Sequence, residues 1–184
     1  MASPINPATY TAGTALTAAQ MNAIRDNTTA AQNPATVQCY QATTGQSIPA
    51  NTATAVLFNT NLYDPYSMHS TVTNTSRITI PTGWGGKYRF NAAITWPAPG
   101  SAPAGVTYVQ MQIFKNNALW APSVREIFPV YSGVQQTTRL VWEGTGAVAD
   151  YFEVFVLTGG TVSLATTLVF GANGCAFTAT WVSL

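Results

Sequence analysis

The sequence predicts an all-β fold, an antiparallel sandwich or jelly roll, carried behind a short N-terminal arm and helix. Three observations predict it. Residues 86–96 alternate, with Tyr88, Phe90, Ala92, Ile94 and Trp96 on one face and Lys87, Arg89, Asn91 and Thr95 on the other. That is the period-2 pattern of a half-buried strand. From Thr36 onward, apolar runs are separated by turn signals at Asn116-Asn117, Gly144-Thr145-Gly146, Gly159-Gly160 and Asn173-Gly174. No helical period interrupts that block, and many short strands without helices make a sandwich or jelly roll.

Residues 1–16 contain Pro, Gly and Thr without periodicity and read as an extended arm. Thr17 is placed as an N-cap for a helix over 18–32. Asn33-Pro34 ends that helix, because the residue before proline resists the helical conformation. Met21, Ile24, Thr28 and Ala31 form one narrow, weakly apolar stripe. So thin a stripe is marginal alone and calls for a partner: its own domain, copies of itself or another protein. The chain thus divides into an attachment and assembly segment, 1–35, and a β domain, 36–184.

Strands are expected at 36–42, 53–58, 77–80, 86–96, 106–115, 136–143, 150–157, 164–170 and 175–183. Tyr151, Phe155 and Leu157 alternate with Phe152, Val154 and Val156, so that strand is apolar on both faces. Such a strand fits a sandwich centre or a subunit interface. In the last strand Cys175, Phe177, Ala179 and Trp181 share a face.

Composition narrows the function. Hydrophobic residues are 47% of the 184, charged residues only 7%, against roughly 25% in ordinary globular proteins. A surface of Thr, Asn, Gln, Ser and Ala suits a chain in an assembly or outside a cell. The net charge of +1, with no run of basic residues, gives no footprint for nucleic acid. No apolar stretch approaches the ~18 residues of a membrane span. Residues 1–7 have neither a basic nor an apolar stretch, so no secretory signal is expected. Cys39 and Cys175 cannot by themselves make a disulfide scaffold or a zinc site; one bridge or two buried thiols remain open.

Catalytic chemistry finds little to work with. His69 is the one histidine, in a Ser/Thr/Asn-rich segment, and is expected at the surface. The acids Asp64, Glu126, Glu143, Asp150 and Glu153 are dispersed. A carbohydrate-active enzyme would need a cleft gathering Asp64, Asp150 or Glu153 with aromatics, since glycosidase pairs come from distant positions. Gly83-Trp84-Gly85-Gly86 joins two strands and so is a turn, since a phosphate loop opens a helix. No cofactor or metal is expected. Tyr63, Tyr66 and Trp120 fall in expected loops, where they serve either receptor contact or packing.

The β block resembles a known family. Val56-Leu57-Phe58-Asn59-Thr60-Asn61-Leu62-Tyr63-Asp64, Ile78-Thr79-Ile80-Pro81 and Gly86-Lys87-Tyr88-Arg89-Phe90 resemble, in order, segments of the complement globular head and its tumour-necrosis-factor-like relatives. Lys115-Asn116-Asn117 stands where that family has a Lys-Asn-Gly turn, and Asp150-Tyr151-Phe152-Glu153-Val154 resembles its Gly-Asp strand, with Ala149 in place of the Gly. The resemblance implies an antiparallel jelly-roll sandwich that assembles as a homotrimer. Tyr88, Phe90, Tyr151 and Phe155 are then the candidates for trimer core or interface. There is no collagen stalk and no calcium cage to match an animal secreted ligand.

Residues 11–27, from Thr11-Ala12-Gly13 through Leu16-Thr17-Ala18 to Ile24-Arg25-Asp26-Asn27, resemble an opening seen in bacteriophage tail and other virion proteins. The two resemblances together imply a non-enzymatic virion protein, either a capsid decoration or a tail or fibre component. Met21, Ile24 and Arg25 are the attachment candidates. Its partners would be itself, other virion proteins and, through Tyr63, Tyr66 and Trp120, a host-surface glycan. No membrane insertion is implied, and assembly would take place in the host cytoplasm.

Overall fold

The structure is a computed structural model that describes residues 11–42, 46–49, 51–96, 106–120, 126–129, 135–160, 164–165 and 174–184. The arm before Thr11, Pro97 to Gly100, Arg125 and most of the strand expected at 164–170 lie outside the described residues.

One helix, α1 (Ala18–Gln32), precedes the strands. It starts where Thr17 accepts from the Gln20 amide while the Gln20 side chain accepts from the Thr17 amide, a reciprocal capping box. Strands β1 (Thr36–Tyr40), β4 (Thr60–Tyr63), β6 (Gly86–Trp96), β10 (Gln136–Gly146) and β13 (Ala176–Ser183) form a five-stranded sheet in the order β10-β6-β13-β1-β4. A six-stranded sheet is built on β11 (Tyr151–Gly160) and β7 (Val106–Lys115). On it β3 (Thr54–Ala55) and β5 (Arg77–Thr79) pair with β11, while β8 (Ala118–Leu119) and β9 (Glu126–Pro129) pair with β7. A small ribbon joins β2 (Ser47–Ile48) to β12 (Leu164–Ala165). Every pairing is antiparallel.

The core lies between the two large sheets because their alternating residues face it. Phe90, Trp142 and Phe177 come from the five-stranded sheet; Phe152, Val154, Val156, Met111 and Ile113 come from the other. Phe90 stacks on Trp142 at 4.8 Å between ring centroids and meets Phe152 at 4.4 Å. Each such ring removed from water contributes about 1.5–3 kcal/mol. The Thr138 hydroxyl donates to Met111 Sδ at 2.9 Å, a further tie between the sheets.

Local sequence explains the turns. Asn116 and Asn117, with φ of 52° and 66°, make the two-residue turn from β7 to β8, the geometry that matches strand twist. At Gly86, φ is 142° and a Cβ would stand 2.2 Å from the Ser183 carbonyl, so only glycine fits at the start of β6.

Sequence and structure agree on α1, β6 and β7 to the residue. They differ by one to three residues at the ends of β1, β5, β10, β11 and β13, and more widely at short edge strands. The expected strand at 53–58 is reduced to Thr54–Ala55, although the Val56 amide still bonds to the Val154 carbonyl. Strands β2, β4, β8 and β9 are additional. β4, β8 and β9 are held by pairing with longer neighbours and β2 by pairing with the equally short β12, a non-local cause that leaves no period in two to four residues.

Candidate functional site

Each acid with a described side chain has a hydrogen-bond or ion-pair partner. Asp64 accepts from the Met68 and His69 amides at 2.8 and 2.9 Å. Asp150 accepts from Lys115 and Asn116, each at 2.7 Å, and from the Ala147 amide at 2.8 Å. Burial raises the Asp150 pKa, but these donors outweigh it and hold the carboxyl below its ordinary range. Glu153, buried on the outer face of the six-stranded sheet, takes the Ser76 hydroxyl at 2.6 Å and Arg77 Nε at 3.3 Å. Glu143 is exposed and bridges Lys87 and Arg89. No three His, Cys, Asp or Glu side chains gather where a metal could bind, among the described residues.

His69 is a correction to the sequence expectation. It is buried, not on the surface. Its Nδ1 lies 2.6 Å from Asn61 Oδ1 and its Nε2 3.0 Å from the Thr75 carbonyl, so the ring pins the loop between β4 and β5. Burial pushes its pKa below the ordinary value, against the opposing pull of the Thr75 carbonyl and the Asp64 charge. Cys39 and Cys175 are free and buried. Burial pushes both thiols up, Cys175 to about 12, so they are unreactive near neutrality.

The candidate loop aromatics separate. Tyr63 is 54% exposed beside Leu62 at 62%. Tyr66 instead packs edge-on to Trp84 at 4.9 Å and donates its hydroxyl to the Asn33 carbonyl at 2.7 Å. Trp120 packs on Phe152 at 5.5 Å and fills the space over Gly144. Tyr66 and Trp120 are therefore parts of the packing, and Tyr63 alone of the three stands open to solvent.

The candidate interface residues separate too. Tyr88 and Phe90 are fully buried between the protein's own sheets and are out of reach of a partner. The Tyr88 hydroxyl donates to the Trp84 carbonyl at 2.7 Å. Tyr151 and Phe155 sit on the outer face of β11, half-buried. There Phe155 stacks on Phe114 at 4.0 Å, and Arg77 lies 4.0 Å over the Tyr151 ring.

The outer face of the five-stranded sheet is nearly uncharged across its middle. It carries an open depression of about 400 Å³ lined by Gln38, Asn91, Ala93, Thr137, Arg139 and Thr178, among others. Arg139 is the one Lys or Arg without a carboxylate partner, among the described residues. The attachment candidates Met21 and Ile24 are 56% and 43% exposed on α1, and Arg25 pairs with its neighbour Asp26 at 2.9 Å.

No protein-family model and no curated sequence matches the chain. Solved structures do. The globular domain of the zebrafish complement 1qA protein superposes with a TM-score of 0.56 at 14% identity, over 80% of this chain and 96% of that one. Murine APRIL at pH 5.0 superposes with a TM-score of 0.51 at 8% identity, over 80% of this chain and 98% of that one. At such identities the likeness concerns the fold, and the protein is an antiparallel jelly roll of the kind these two share.

Proposed function

We propose that this chain is a non-enzymatic structural subunit of a phage particle, a homotrimeric jelly roll that projects from the virion and is mounted through its N-terminal arm. One observation carries the reading. The sandwich completes its own core, yet leaves apolar surface incompletely covered: Met21 and Ile24 are exposed on α1, and the Phe114–Phe155 stack is only half-buried on the outer sheet face. A chain in which only 7% of residues are charged does little to keep copies apart. The fold shared with the complement head supports the kind of assembly, and the virion-like opening at 11–27 supports the setting.

The mass of the full chain in light scattering tests the trimer: three times 19.5 kDa is expected at micromolar concentration, and a monomer overturns it. Gold-labelled antibody on particles tests the location. A decoration protein gives particles that burst more easily when it is deleted; a tail or fibre protein gives stable particles that adsorb poorly.

Exposure of Leu62 and Tyr63 favours a second reading, recognition of a host-surface carbohydrate by the end of β4. Tyr63→Ala should then abolish binding to host cells while the trimer persists.

A further inference from the structure

We propose that α1 is the neck of the assembly: a parallel coiled coil in which α1 of three sister copies pack together through Met21, Ile24, Thr28 and Ala31. The inference rests on the trimeric reading above and says what the helix does within it.

The first argument is spacing. Those positions follow intervals of three, four and three residues, the strict a/d seam of a coiled coil and narrower than the stripe a helix lays on a globular core. The second is an inversion of size. The one residue of α1 buried in the core is the small Ala30, while the larger Met21 and Ile24 face solvent. A helix whose only role was to cover its own domain would turn the larger apolar groups inward. The third concerns Thr28. Its hydroxyl donates to the Ile24 carbonyl at 2.9 Å, so the polar end is satisfied within the helix and a methyl group remains for the seam.

The junction with the domain favours sister helices as the occupant. Three residues, Asn33, Pro34 and Ala35, separate α1 from β1. Tyr66 holds the Asn33 carbonyl at 2.7 Å, and the Trp181 amide holds that of Ala35 at 2.8 Å. The helix therefore leaves the sheet in a fixed direction, the same in each subunit. Two heptads are too short to associate alone, but tethering to a trimeric head raises the effective concentration to the order of millimolar.

Single cysteines test the seam in the full chain, with a short bis-maleimide as cross-linker. Wild type is the blank, because Cys39 and Cys175 are buried. Ile24→Cys should give mostly linked pairs on a denaturing gel, and Asn22→Cys, off the seam, at least fivefold fewer. Light scattering on each variant separates the two claims. A trimer in which neither position, or both equally, cross-links overturns the neck and leaves the trimer standing. A monomer removes both.

Discussion

Phe90 and Phe152 face each other across the sandwich with ring centroids 4.4 Å apart, one from each large sheet, and both are fully buried. Phe90 also touches Tyr88, Trp142 and Phe177. Phe90→Ala should cost about 3–5 kcal/mol through lost burial and the cavity it leaves. Urea unfolding monitored by tryptophan fluorescence would read it. A loss under 1 kcal/mol would mean the two sheets do not depend on this contact.

Ala149 has a φ of 70° in the turn before β11. A side chain costs roughly 1–2 kcal/mol in that left-handed conformation. Glycine removes the cost but gains about 0.4–1 kcal/mol of unfolded-state entropy. Ala149→Gly should therefore stabilise the protein, by up to about 1.5 kcal/mol, with a melting point above that of wild type. A clear drop in melting temperature would contradict the turn geometry.

Asp150 ties Lys115, Asn116 and the Ala147 amide into one corner. Its folded pKa is depressed below the ordinary 3.8. The stabilisation is thus complete above that value and is lost as pH falls through the folded pKa. At pH 7, Asp150→Asn should cost about 1–3 kcal/mol. The gap between the melting temperatures of the two proteins should narrow as pH falls below 3.8; a gap that does not change in acid would refute the assignment.

His69 titrates in the opposite chemical sense but with the same pH trend. Its folded pKa lies below the ordinary 6.5 because burial disfavours the imidazolium. As pH falls from 6.5 through the folded value, the unfolded chain takes up the proton first and stability declines. With one histidine in the chain, an imidazole NMR titration reads this without assignment. A folded value above 6.5 would show that the Asn61 and Thr75 oxygens facing the ring outweigh its burial.

Much of the fold was legible because some signals are local. Alternation over 86–96 and 106–115 marks β6 and β7 at their full lengths, and Thr17 with Asn33-Pro34 marks both ends of α1. The candidate site was legible only in part. Tyr88 and Tyr151 look alike in the sequence, each an aromatic in an alternating strand. One is fully buried and the other half-buried on an outer face, because the face a strand turns inward depends on the sheet that packs against it. Trp120 and Tyr66 are loop aromatics by sequence and packing groups by structure, since Phe152 on β11 and Trp84 in the turn before β6 reach them.

By itself the sequence determined the class of fold, the one helix and its ends, and a surface poor in charge. Those properties follow from the spacing of apolar residues and from composition, which need no knowledge of distant neighbours. Tertiary structure alone decided that His69 is buried, that Tyr88 and Phe90 are internal, and that Met21, Ile24 and Phe155 keep exposed surface. Burial is a relation between residues far apart in the chain, and it is fixed only when the two sheets close on each other.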